Sequence, residues 1–300
     1  MRPDPKPPRW AACLLALLIG LPATVRAGIE LTQPDGATLT LAAPATRLIT
    51  LSPHLAELVY AAGAGDRLLA TVAYSDYPKA AQDLPRVGDA FRLDVEAIIA
   101  HRPDLVIAWG SGNPDAALAQ LRALGLTVWS VEIRAPDEIA QTLRRIGSAT
   151  ASNDTAERAA RRLEGRLAAL ERHYAGAESL DYFYQVDRRP LFTINGDHLI
   201  SQGLALCGGR NIFADQPGLA FQVAHEAVIT ADPAALFAPF TEGRGDPLVD
   251  WRQWPSMRAV RDDALFLLPA DAISRATPRW FDSLELACTL LHDLRERRHP

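Results

Sequence analysis

Two glutamates, Glu96 and Glu226, hold equivalent places in two matching stretches, FRLDVEAIIAHRPDLVIAW from Phe91 and FQVAHEAVITADPAALFAP from Phe221. The offset is 130 residues throughout and needs no gap; it also lays Phe91 on Phe221, Ile99 on Ile229 and Pro103 on Pro233. Apolar matches are expected between any two βα units. A matched acid is not something a hydrophobic pattern requires. In the first turn of a helix a carboxylate gains about 0.3–1 kcal/mol from the helix dipole, so each acid has a local use whatever else the pair does.

Residues able to make and break bonds are present, but not in reactive spacings. There is no GxSxG, no HExxH, no P-loop, and GSGNPD at Gly110 lacks the third glycine of a dinucleotide turn. The histidines His54, His101, His173, His198, His225, His292 and His299 are not paired at metal-ligand spacing. The one zinc set the chain offers is His54, His198 and Asp271. What remains is a set suited to binding. Loops of the first half carry Pro53, His54, Tyr74, Tyr77, Phe91, Trp109 and Asn113. Loops of the second half carry Phe192, Asp197, His198, Phe221, Asp271, Arg275 and Trp280. Aromatic faces with an amide, carboxylate and guanidinium rim suit a large ligand with flat apolar surfaces. The expected protein is a binder and not an enzyme.

The elements that must position these loops follow from the hydrophobic pattern. RLITL from Arg47, LLATVAY reaching Tyr74, DLVIAW from Asp104 and TVWSVEI read as strands. Between them, helices are expected over HLAELVYAA, Val95–Ala100, Asp115–Leu124 and Pro136–Ile146. Strand–helix alternation of this kind means parallel sheets covered on both faces. The rhythm breaks at TAERAARRLEGRLAALERHY, Thr155 to about Tyr174, which predicts one helix about 30 Å long. It then restarts with YFYQV, LFTI, a helix from His198 to Cys207, a second from Glu226, ALFAP, LFLLP and a last helix over Trp280–Leu294. The expected division is an α/β lobe over 28–150, a connecting helix over 151–176 and a second α/β lobe over 177–300. Two such lobes leave a cleft between them, where small ligands bind.

The first 27 residues read as a secretory signal peptide: a basic start at Arg2, Lys6 and Arg9, an apolar run over Ala11–Leu21, and Val25-Arg26-Ala27 before the cut. The apolar run is shorter than the roughly 20 residues a bilayer span needs. Its loss removes four basic residues and one acid, taking the formal charge from −5 to about −8. An acidic exported chain is a poor partner for nucleic acid, and its macromolecular partner is expected to be neutral or basic at the contact. Cys207 and Cys288 remain, and an even count in an oxidising compartment favours one disulfide.

RLITLSPHLAELVYAAGAGDRL, YSDYP, LDVEAIIAHRPDLVIAW and CGGRNIF resemble the periplasmic substrate-binding proteins of ABC importers for cobalamin, haem and iron–siderophores, the cobalamin branch above all. The resemblance covers nearly all of the mature chain. It implies the helical-backbone class III fold, two Rossmann-like lobes with parallel sheets joined by one long α-helix. It implies capture of cobalamin or a related corrinoid as cargo, with no cofactor, and delivery by a monomer to an ABC permease and its ATPase at the inner membrane. Haem or a ferric siderophore is the alternative cargo. Glu96 and Glu226 match the acids that dock each lobe onto the permease, and Cys207 and Cys288 match the family's disulfide positions. The expected ligand contacts, read from the cleft-facing loops, are Pro53, His54, Tyr74, Phe91, Trp109, Phe192, Phe221, Asp271 and Arg275, of which Asp271 and Arg275 match polar positions of the family's cleft. Where the family's cleft carries tryptophans, this chain has Ala90, Ala220 and Ala272.

Overall fold

A computed structural model describes Met1 and residues 28–298; the rest of the expected leader, and His299, lie outside the described residues. The described chain opens with an antiparallel hairpin, β1 (Ile29–Thr32) and β2 (Thr38–Leu41). The first lobe follows as β3 (Leu48–Thr50), α1 (Pro53–Ala61), β4 (Leu68–Ala70), α2 (Val95–Ala100), β5 (Leu105–Trp109), α3 (Asp115–Ala123) and β6 (Val128–Val131). Its four strands are parallel, in the order β4-β3-β5-β6. Two helices come next, α4 (Pro136–Thr150) and α5 (Asn153–His173).

The second lobe runs β7 (Leu180–Tyr184), β8 (Asp187–Arg188), β9 (Leu191–Ile194), α6 (Leu199–Leu206), β10 (Gly209–Asn211), β11 (Ala220–Gln222), α7 (His225–Ala231), β12 (Ala235–Phe240), α8 (Arg258–Arg261), β13 (Leu265–Pro269), α9 (Ala270–Ile273) and α10 (Trp280–Arg298). Its parallel sheet has the order β10-β7-β12-β13, the same winding as the first. The repeat in the sequence is a repeat in the fold: α2 and α7 begin 130 residues apart, and so do β5 and β12. The second lobe adds a small antiparallel sheet, β11-β9-β8, for which the first has no counterpart.

Both parallel sheets are buried on two faces, as their continuous apolar runs require. Leu105 and Ile107 of β5 enter one core, while Val106 and Ala108 enter another on the opposite face. Ala235 and Phe237 of β12 divide from Leu236 and Ala238 in the same way. The first of these cores is shared. It runs from Leu31 through α1, α4 and α5 into α6 and α10, so one apolar body ties the lobes together.

The connecting helix does not stand alone. Ala151, in the left-handed conformation at φ 52°, ends α4, and α5 turns back along it. Gly147 lets the pair approach, because a Cβ there would meet the Ala156 methyl at 2.5 Å. Arg144 of α4 is paired with Glu157 and Glu164 of α5. Further along, Arg166 reaches Asp282 and Glu285 of α10, both at 2.7 Å, and lies over the Phe281 ring. The Cys207–Cys288 disulfide, with Cα atoms 5.4 Å apart, fastens the end of α6 to α10.

The strand expected to reach Tyr74 stops at Ala70. Thr71 hydroxyl bonds to Thr50 and Ser75, each at 2.9 Å, hold the chain in a turn that carries Tyr74 at φ 66°. Short hydroxyl side chains offer the backbone this alternative to a sheet ladder.

Candidate functional site

A cleft of about 490 Å³ lies between the lobes, lined by loops that follow the strands of both. Such loops at the carboxyl ends of parallel strands are where α/β sheets bind ligands. Pro53 and His54 open α1, where buried Ser52 is extended and Pro53 presets the first helical turn. Trp109 closes β5, and Ser111, Glu132 and Arg134 follow β5 and β6. From the second lobe come His198 and Leu199 at the start of α6, Leu219 and Ala220 at β11, and Ile273 and Arg275 beyond β13.

The two histidines present neutral rings. His54 shares a 2.9 Å hydrogen bond between its Nδ1 and Ser52 Oγ, and stands edge-on to Trp109 at 5.4 Å. Burial, and then the Arg275 cation, lower its pKa from 6.5 to about 4. His198 caps α6: its Nδ1 accepts the Ile200 N–H at 3.2 Å, which leaves the proton on Nε2. Burial lowers its pKa to about 4 as well.

One edge of the cleft is closed by an ionic cluster that crosses between lobes. Glu57 of α1 is buried, and its carboxylate accepts from Arg275 Nη1 (3.1 Å) and from Arg279 Nε (3.0 Å) and Nη2 (2.6 Å). Arg275 also donates to Asp76 (3.0 Å) and to the Tyr74 carbonyl (3.2 Å), and pairs with Asp271 at 3.2 Å. Arg279 lies 4.0 Å over the Tyr77 ring. A buried carboxylate needs such partners, since desolvation otherwise exceeds what the fold supplies. The clue in the sequence was an acid inside HLAELVY, in a stretch whose residues Leu55–Val59 are all buried.

Of the expected ligand contacts, Pro53, His54, Trp109 and Arg275 line this cleft. Tyr74 and Phe91 stand outside its lining with 76% and 69% exposure. Phe221 of β11 pairs with Thr193 and turns onto Phe213 at 6.1 Å, leaving its neighbours Leu219 and Ala220 to face the cleft. Phe192 lies one strand in, opposite Asp187 and Gln222. Asp271 is exposed and meets the site only through Arg275. Asn113 is buried and acts as a tie, accepting from Trp109 N and donating to the Leu51 and Ala90 carbonyls. The zinc set His54, His198 and Asp271 is therefore not assembled. Among the described residues no group of three or more histidine, cysteine or acidic side chains is placed to hold a metal.

Glu96 and Glu226 occupy the first turns of α2 and α7. Both are exposed, and neither has an ion pair or hydrogen-bonded partner among the described residues.

Residues 48–272 match the model of a family described as periplasmic binding protein. This chain belongs to the periplasmic binding protein family. As a periplasmic binding protein it is similar to a vitamin B12-binding protein of Vibrio cholerae serotype O1, with 39% identity over 83% of this chain and 90% of that one. A vitamin B12-binding protein of Yersinia pestis is 35% identical over 94% of this chain and 92% of its own length. Among solved structures, the periplasmic vitamin B12 binding protein of Vibrio cholerae superposes with a TM-score of 0.78 at 38% identity, covering 84% of this chain and 98% of that chain. The periplasmic haem-binding protein of Roseiflexus shares the fold, with a TM-score of 0.71 at 23% identity over 83% of this chain and 98% of that chain. No helix among the described residues is long and apolar enough to cross a membrane.

Proposed function

We propose that this protein captures cobalamin or a related corrinoid in the interlobe cleft and hands it to an ABC importer permease. The observation that carries the reading is a cleft lined from both lobes by apolar groups, with two neutral imidazoles and the guanidiniums of Arg134 and Arg275, in a chain 39% identical to a vitamin B12-binding protein. A corrin is broad, uncharged over most of its edge and rimmed with amides. Trp109, Leu199, Leu219 and Ile273 offer apolar contact, and the Nε2–H of His198 offers a donor to an amide carbonyl. Of the three alanines that stand in place of bulkier rings, Ala220 lines the cleft and leaves room there, whereas Ala90 and Ala272 are buried outside its lining. The corrinoid is cargo, so no resident cofactor is invoked.

The division into lobes at 28–150 and 177–300 with a connecting helix over 151–176 belongs to this reading. So does the periplasm as its site of action, after cleavage near Ala27. The shared core and the Arg144 and Arg166 ion pairs favour a stiff connection, so lobe motion on binding is small. Glu96 and Glu226, matched in place and unpaired, are read as the two contacts with basic groups of a two-fold permease. The working unit is a monomer, with the ATPase on the far side of the membrane driving release.

Haem is the second reading, and the neutral His54 ring in the cleft is what favours it. His198 fits it poorly, because its Nδ1 lone pair is already engaged and its Nε2 carries the proton. Calorimetric titration of residues 28–300 with cyanocobalamin, and in parallel with haemin, decides between them. Saturable one-to-one binding of cyanocobalamin is expected; binding of haemin alone overturns the corrinoid reading.

A further inference from the structure

We propose that the outer end of the cleft carries an anion subsite, centred on Arg134 and Arg145, that takes the phosphodiester of the ligand's nucleotide arm. This rests on the corrinoid reading above and adds a feature that the central cleft does not supply. The cleft does not stop at the lobe edge. Ser111, Glu132 and Arg134 line it and also line an adjoining groove of about 560 Å³, whose far wall is the tip of the β1–β2 hairpin at Gln33, Pro34 and Asp35. Arg134 lines a third hollow too, of about 320 Å³, which it shares with Arg145. Arg134 thus lines all three spaces.

The polar groups there are unevenly used. Glu132 is held by Ser111, through its N–H at 2.8 Å and its hydroxyl at 3.1 Å. Glu138 accepts the N–H groups of Arg134 and Ala135 at 2.6 and 3.2 Å. Gln33 accepts the Ser130 N–H at 3.2 Å. The protein's own donors therefore occupy these acceptors; the exposed Asp115 lines only the outer groove and not the hollow that Arg134 shares with Arg145. The guanidiniums are not so served. Arg134 is 57% exposed, and its approach to Glu132 at 3.9 Å is beyond hydrogen-bond length. Arg145 is half-buried and has no hydrogen-bonded or ionic partner among the described residues.

Two forked donors without acceptors, beside carboxylates already engaged, leave a place for an anion with spread charge. Phosphate oxygens match guanidinium geometry. In a cobalamin the macrocycle's side amides are neutral, and the phosphodiester of the nucleotide arm is the anionic group outside the metal centre. Ser111 and Arg134 line both the cleft and the outer groove, so an arm that leaves the cleft on that side runs beside Arg134.

The test is a pair of titrations of residues 28–300, as wild type and as the double variant Arg134→Gln with Arg145→Gln. The probes are cyanocobalamin and dicyanocobinamide, which has the same macrocycle without the phosphodiester arm. Both arginines are outside the packed core, and unchanged thermal unfolding verifies the fold of the variant. The double variant should bind cyanocobalamin roughly tenfold more weakly and cobinamide within about twofold of wild type. Equal change for both corrinoids, or none for either, overturns the subsite and leaves the corrinoid reading standing. Binding of inorganic phosphate lost in the variant, without discrimination between the corrinoids, makes it a free-anion site and overturns the assignment to the arm. Failure of the wild type to bind either corrinoid overturns the function and the subsite together.

Discussion

Replacing Glu57 by glutamine tests the ionic cluster that spans the lobes, because it removes one charge and keeps the side-chain shape. The Glu57 side chain is 2% exposed and accepts three N–H bonds from two guanidiniums. Glutamine offers one carbonyl oxygen, and its amide group faces donors. Arg275 would keep Asp76, Asp271 and the Tyr74 carbonyl, whereas Arg279 would keep only the Tyr77 ring. Breaking a buried pair from one side costs about 3–5 kcal/mol. The side chains of Arg275 and Arg279 are 13% and 25% exposed, so water restores part of their solvation. The expected loss is therefore about 2–3 kcal/mol. At about 2–4 °C per kcal/mol for a chain of this size, Tm should fall by about 4–12 °C. Calorimetric unfolding of residues 28–300 measures it. A cycle with Arg279→Leu should show coupling of about 1 kcal/mol or more, since the two groups share bonds. A Glu57→Gln Tm within about 2 °C of wild type, with additive single effects, would refute a clamp at this place.

Changing Glu96 and Glu226 together to arginine should abolish transport in cells while leaving corrinoid affinity unchanged in calorimetry; normal uptake by the double variant would remove the docking role. The disulfide closes an 81-residue separation, worth about 4 kcal/mol in loop-entropy models. Changing Cys207 and Cys288 together to serine should then lower Tm by about 8 °C or more, read by circular dichroism. His54 and His198 have folded pKa values near 4, below the ordinary 6.5. The unfolded chain therefore binds more protons between these values, and stability should fall as pH drops from 6.5 towards 4. His54→Gln with His198→Gln should flatten the Tm–pH curve over that window, and an unaltered curve would show that other groups set it.

How much of this was legible beforehand differs by scale. Most strands and helices came from local periodicity: the first sheet appears where apolar β-branched runs stand, and the second where aromatic and leucine runs stand, while its edge strand Gly209–Asn211 carries no such signal. The matched Glu96 and Glu226 were visible because a repeated fold places repeated residues at a constant interval. The cysteine pair was readable from number and compartment alone.

Other features depended on chain direction over a few residues, or on partners far apart. Whether an aromatic in a loop faces the cleft depends on backbone that periodicity does not encode. Tyr74 sits in a left-handed turn held by hydroxyl bonds, and Phe221 is turned aside when β11 pairs with β9. Glu57 and Arg279 are 222 residues apart, and nothing local to either announces the other. The hairpin that walls the outer groove is two four-residue strands whose worth comes from Leu31 in the shared core and from the Trp129 Nε1–H bond to the Thr32 carbonyl at 3.0 Å. The sequence by itself determined two wound lobes, a long helix between them, one disulfide and a pair of matched acids, because each is written in local spacing or in residue counts. Only the tertiary structure decided which side chains meet in the cleft, what clamps its edge and where two arginines are left without acceptors, because burial and charge pairing are properties of residues brought together by the fold.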